Sequence, residues 1–235
     1  QGATSVAVAA GAFTDAAGNA NTVSNTFAWT FDSVGPTMTI TSSGSANGGA
    51  FNAATTLTFT SNSPTTNFIV TDISVSNGAL SDFAADGGST TVYTATFTPT
   101  GEGGVTIDVA ANKFTDASGN QNTAATQFAY THDTTAPAMV ITTTTAGVTS
   151  GSTTNDGTVA YVFTAGQATT NFVKSDITVS GGTLGTLSGS GTTYTATFTP
   201  SGQGATSVAV AVGTFTDAAG NANTVSNTFA WTFDS

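Results

Sequence analysis

Cysteine is absent from the 235 residues, and basic residues nearly so: Lys113 and Lys174 stand against 13 acidic side chains, for a net charge of -11. Without Cys there is no disulfide, no thiolate metal site and no cysteine nucleophile, and the single His132 leaves no room for a histidine metal cluster. Two lysines cannot supply the phosphate neutralisation that nucleic-acid binding requires, and the acidic balance repels anionic lipid. Charged residues make up 6% of the chain, where about 25% is usual. No apolar run approaches the roughly 20 residues needed to cross a bilayer, so this segment is not read as membrane-inserted. With Gln1 first and no signal-peptide pattern, it is read as a mature product or a segment of something longer.

Hydroxyl and backbone take the place of charge. There are 53 Thr and 27 Gly; Thr favours strands and Gly favours turns, so the composition points away from helices. At 38% hydrophobic with 16 Phe, the chain can bury real cores.

The sequence is periodic. Residues 1–33 return at 203–235 with only Ala10/Val212 and Ala12/Thr214 different, and a third copy of the segment ends at Asp133, which sets the period at 101 residues. The rest of the unit occurs twice: TTNFIVTDISVSNGAL at 65–80 matches TTNFVKSDITVSGGTL at 169–184, and VYTATFTPTG at 92–101 matches TYTATFTPSG at 193–202. The reading is two complete repeats, 34–133 and 134–235, preceded by residues 1–33 as the C-terminal part of an earlier repeat.

Within a unit apolar residues alternate with period two: Tyr194, Ala196 and Phe198 against Thr195, Thr197 and Thr199, and Phe27, Trp29 and Phe31 against Ala28 and Thr30. The alternation predicts about seven strands per unit, at 37–42, 54–61, 72–76, 79–83, 91–98, 105–111 and 123–132. Seven short antiparallel strands in about 100 residues is the pattern of an immunoglobulin-like sandwich. The expected fold class is all-β, a tandem array of immunoglobulin-like Greek-key β-sandwiches.

Four motifs recur in order: NF followed by DI-x-V-S-x-G-x-L, Y-x-A-T-F-T-P, F-T-D-x-x-G-N, and D-x-x-x-P at the unit boundary. Together they resemble the bacterial Ig-like repeats of large extracellular surface adhesins, over both repeats and the N-terminal segment. The resemblance implies a secreted or cell-surface rod, often stiffened by calcium between modules, and not an enzyme.

The acids present in all three copies are Asp15, Asp116 and Asp217 in the F-T-D-x-x-G-N loop, and Asp32, Asp133 and Asp234 at the boundary. Calcium takes six to eight oxygens from carboxylates, amides and carbonyls, which suits such Asp and Asn residues. The loop and boundary Asp of one unit are separated by the last strand, and so lie at opposite poles. End-to-end stacking brings the boundary Asp of one unit to the loop of the next. Two inter-repeat calcium sites are therefore expected, Asp32 with Asp116 and Asn120, and Asp133 with Asp217 and Asn221. Asp15 with Asn19, and Asp234, would serve junctions beyond the two ends. The alternative reading makes the same residues turn-formers, since Asp and Asn side chains hydrogen-bond nearby backbone. Glu102 and Asp108 do not recur and are read as solvated surface charges.

No other constellation points to chemistry. There is no G-x-S-x-G elbow, and no pair of acids is placed for glycoside hydrolysis. His132 aligns with Phe31 and Phe233 and is read as a packing or junction residue. Neither lysine recurs, and Trp29, Tyr130 and Trp231 align within a core-facing pattern. The function expected is a structural stalk, extracellular and at the cell surface, whose partners are neighbouring repeats. The rival is a homopolymer, a self-assembling filament or sheath in which residues 1–33 complete another chain's sandwich by strand addition.

Overall fold

The computed structural model describes residues 2–235; Gln1 lies outside them. The first repeat contains β3 (Met38–Ser42), β4 (Ala50–Phe51), β5 (Thr55–Ser61), β6 (Ile73–Val75), β7 (Gly78–Ala85), β8 (Val92–Pro99), β9 (Gly103–Val109) and β10 (Phe128–His132). They form two four-stranded sheets, ordered β3-β5-β8-β7 and β4-β10-β9-β6. All pairings are antiparallel except β4 with the end of β10. Alternation decides which side chains enter the space between the sheets. On β5, Leu57 and Phe59 are buried while Thr56 and Thr60 are exposed, and on β9 Val105, Ile107 and Val109 point inward.

The second repeat repeats this design with β11 (Met139–Thr143), β12 (Thr153–Thr154), β13 (Val159–Thr169), β14 (Ile177–Ser180), β15 (Gly182–Leu184), β16 (Ser188–Pro200), β17 (Gly204–Val210) and β18 (Phe229–Phe233). Its sheets run β11-β13-β16-β15 and β12-β18-β17-β14. Each repeat closes its own apolar core, one around Phe59, Phe97 and Phe114, the other around Tyr161, Phe163, Phe198 and Phe215. Burying a side chain of this size contributes about 1.5–3 kcal/mol.

Two expectations are adjusted. A two-residue strand at Ala50–Phe51 was not foreseen, and the last strand begins at Phe128, not Thr123. Residues 123–127 depart from the regular ladder: Thr123 N–H turns to the Pro36 carbonyl at 3.0 Å, while Ala125 N–H still reaches the end of β9, donating to the Val109 carbonyl at 2.9 Å.

Ahead of the repeats, β1 (Gly2–Val6) and β2 (Phe27–Phe31) form a separate antiparallel pair, equivalent to β17 and β18. The setting differs. Phe13 is 63% exposed and Trp29 42%, whereas their counterparts Phe215 and Trp231 are 1% and 2% exposed.

The inter-repeat junctions as candidate functional site

The F-T-D-x-x-G-N segment is a loop between the last two strands of each unit, and its motif residues build it. The Asp217 Oδ1 accepts the backbone N–H groups of Ala219 and Asn221, each at 2.9 Å, and Oδ2 accepts the Asn221 side-chain amide at 3.0 Å. Asp116 does the same with Ser118 and Asn120, and Asp15 with Ala17 and Asn19. The glycine before Asn sits at positive φ in every copy (Gly18 +87°, Gly119 +85°, Gly220 +92°), a conformation that other residues resist. Donors from Asn120, and from the Asn120, Ser118 and Gly119 backbone, hold the Asp116 carboxyl below the usual aspartate range against partial desolvation. The Asp15 carboxyl is lowered chiefly by Asn19.

The boundary residues arrive where stacking places them. The Asn221 amide donates its second N–H to the backbone carbonyl of Asp133 at 2.9 Å, and Asn120 donates to the carbonyl of Asp32 at 3.3 Å. One NH₂ group thus bridges two modules, one hydrogen on its own loop and the other on the preceding chain. The Asn221 Oδ1 accepts from Asn52 Nδ2 at 3.0 Å, so three residues from two repeats meet at one amide. The Asp133 carboxylate turns back to its own linker, accepting Thr135 N–H at 2.9 Å, and Asp32 accepts Val34 N–H at 3.0 Å. Gly35 packs so tightly on the Gln121 carbonyl that an added Cβ would fall 2.1 Å from its oxygen. Asp15 with Asn19 sits on the first hairpin, and Asp234, whose N–H donates to the Thr154 carbonyl at 3.0 Å, directly follows the last strand.

Glu102 is not a plain surface charge. Its Oε1 accepts the Thr134 backbone N–H at 2.9 Å and also the Thr134 hydroxyl, gripping the linker, and these bonds lower its carboxyl pKa. Asp108 is likewise engaged, taking the Gln127 amide at 2.9 and 3.1 Å. His132, half-buried, has Nδ1 2.9 Å from the Gly101 carbonyl oxygen.

The residues that sequence reasoning passed over are the second asparagines of the loop. Asn223, 1% exposed, accepts Thr214 and Phe215 N–H at 2.8 and 2.9 Å and donates to the Ala211 and Thr224 carbonyls, both at 2.8 Å. Asn122 repeats this with Lys113, Phe114, Ala110 and Thr123. Recurrence as Asn21, Asn122 and Asn223 was the available signal. Asn67 and Asn171 pin the same loop from the other side, each bonding the backbone N–H and hydroxyl of Thr115 or Thr216.

As they stand, these groups make a hydrogen-bonded clasp. At the second junction the Asp133 carbonyl is taken by the Asn221 amide, the Asp133 Oδ1 by the Thr135 N–H and both Asp217 carboxylate oxygens by their own loop, whereas calcium takes six to eight oxygens turned to one point. Among the described residues no three His, Asp or Glu side chains converge as a metal-binding group.

Two-layer sandwiches of antiparallel sheets, repeated in tandem and joined loop to boundary, define an array of immunoglobulin-like modules. The chain belongs to the bacterial Ig-like domain family, matched in two consecutive copies at residues 32–132 and 133–233. Among solved structures it is similar to FdeC, an Escherichia coli adhesin, at 14% identity and TM-score 0.42, covering 86% of this chain and 64% of that one. It is also similar to invasin, a bacterial integrin-binding protein, at 14% identity and TM-score 0.40, covering 79% of this chain and 39% of that one. The chain thus spans less than two thirds of either. No curated protein sequence matches it.

Proposed function

We propose that the chain is a stalk or spacer segment of a bacterial cell-surface adhesin, an extracellular, non-enzymatic rod whose role is to hold successive modules in fixed orientation. The observation that carries this reading is the repeated clasp: at both junctions the loop asparagine of one module holds the boundary carbonyl of the module before it. Pro36 and Pro137 restrict the entering linkers, and both are buried. Distances between spin labels on the two repeats test the reading. A narrow distribution that broadens in Asn221→Ala supports it, and a broad distribution in the unmodified protein overturns it.

Calcium at the junctions is part of the proposal, with Asp133, Asp217 and Asn221 at the second and Asp32, Asp116 and Asn120 at the first. The meeting of these residues supports it. Isothermal titration with Ca²⁺ on the unmodified protein and on Asp133→Ala separates the two components. Saturable binding weakened by the substitution supports a junction ion, whereas no binding, or binding unchanged by it, leaves hydrogen bonds alone to stiffen the rod.

A further inference from the structure

The two repeats share an aromatic triad but differ in what covers it. In the first, Phe68 packs edge-on against Tyr93 and Phe114, with ring centroids 5.3 and 5.2 Å apart. In the second, Phe172 packs the same way on Tyr194 and Phe215 at 5.1 and 5.2 Å. The first repeat adds a fourth ring. A bulge in β7 between Ser81 and Ala84 turns Phe83 inward. Phe83 stacks on Tyr93 at 5.8 Å with 5° between planes and meets the edge of Phe68 at 5.5 Å.

In the second repeat the matching position is Leu187, half-buried against the core. There a cleft of about 340 Å³ opens on the Phe172 and Tyr194 rings, walled by Val173, Thr186, Leu187 and Gly189. Lys174 stands at this cleft, at the position that Val70 holds in the first repeat. It is one of two cations in a chain of net charge -11, so a positive group beside an aromatic floor sets this spot apart from the rest of the surface.

We propose that this cleft is a binding site for an aromatic ring bearing a nearby carboxylate, such as an aromatic residue beside an acidic one in an extended peptide. The ring takes the place that Phe83 fills in the sister repeat, tilted or offset against Phe172 and Tyr194 as ring quadrupoles favour. The carboxylate pairs with Lys174. The sister repeat supplies the shape of the occupant, since Phe83 follows Asp82 in its own chain.

The test titrates the full chain, followed by amide chemical shifts in NMR, with the acetylated and amidated peptide Ser-Asp-Phe-Ala, and in a separate arm with 3-phenylpropionate. Saturable shifts confined to Val173, Lys174, Leu187 and Gly189 are expected, and saturation by the peptide alone or by both probes tells a peptide site from a general aryl carboxylate site. Leu187→Phe and Lys174→Val install the first repeat's residues. Leu187→Phe should abolish the shifts while the spectrum stays dispersed. Lys174→Val should weaken binding by about two- to fivefold, the range of an exposed ion pair, and leave binding of a Ser-Asn-Phe-Ala peptide unchanged. Absence of saturable shifts, equal shifts at Phe68 and Tyr93, or undiminished binding in Leu187→Phe overturns the site. Equal loss of the Asp and Asn peptides in Lys174→Val overturns the carboxylate pairing.

Discussion

Replacing Asn223 with Ala should weaken the second repeat more than its position in a loop suggests. The side chain makes four hydrogen bonds at 2.8–2.9 Å while 1% exposed, two accepted from backbone N–H groups and two donated to carbonyls. Each such bond contributes a net of about 1 kcal/mol, and a buried partner left unsatisfied costs more, so about 4 kcal/mol is the expected loss. With a urea slope of about 2 kcal/mol/M for a module of this size, the midpoint should fall by about 2 M. Trp29→Phe leaves Trp231 as the reporter of the second repeat. The molecule also carries its own control, because Asn21 makes the corresponding contacts to Phe13, Ala9 and Thr22 on the exposed first hairpin. Asn21→Ala should leave the Trp231 transition in place. A midpoint shift below about 0.5 M for Asn223→Ala, or an equal shift for both variants, would refute the reasoning that burial makes this asparagine a keystone.

Tyr130 aligns with Trp231, whose Nε1–H donates to the Tyr161 hydroxyl at 3.0 Å, but the first repeat has Leu57 in place of Tyr161, and the buried Tyr130 hydroxyl has no hydrogen-bond partner among the described residues. Tyr130→Phe should therefore be neutral or stabilising by up to about 1 kcal/mol in thermal melts, and a clear loss would show that the hydroxyl is satisfied in solution. The Asp116 carboxyl is held below its ordinary value, so its contribution is present above the unfolded aspartate pKa of about 3.9 and is lost as pH falls through the lower folded value. Melting curves from pH 7 to 2 should show Asp116→Asn losing its disadvantage at the acid end; a difference independent of pH would contradict this sign. Glu102→Gln should flatten the same acid limb slightly, because Thr134 bonds lower the Glu102 pKa in the folded state. Phe215→Ala should cost about 3–5 kcal/mol as a core truncation, whereas Phe13→Ala should leave the melting of both repeats unchanged.

The sandwich was legible because alternation and repetition carry it: a chain that writes Tyr-x-Ala-x-Phe twice at the same place in a unit declares a strand and its inner face. The meeting of boundary and loop was also legible, since a strand of known rise fixes which pole each Asp occupies. Asn52, Asn122 and Asn223 were not. An asparagine in a Gly- and Asp-rich loop looks like any other turn residue, and nothing in one sequence says that its amide will be buried and used on every side. Glu102 was misjudged for a related reason. Comparison between copies marks what recurs, and Glu102 grips the linker at a position where the other copies have glutamine.

The asparagine that joins two modules also closes its own loop, and the two tasks are not symmetrical. Around Asp15 and Asn19, as around Asp217 and Asn221, the bonds that shape the loop are internal to it, so the loop does not draw on its upstream neighbour for its shape. The boundary carbonyl of Asp133 does need Asn221 if it is to be held. Under a pulling force, the loss of one module would strip the anchor from the end of the module before it, while the loop of the module after it would keep its own internal bonds. Failure would then travel along the array in one direction, toward the N-terminal end.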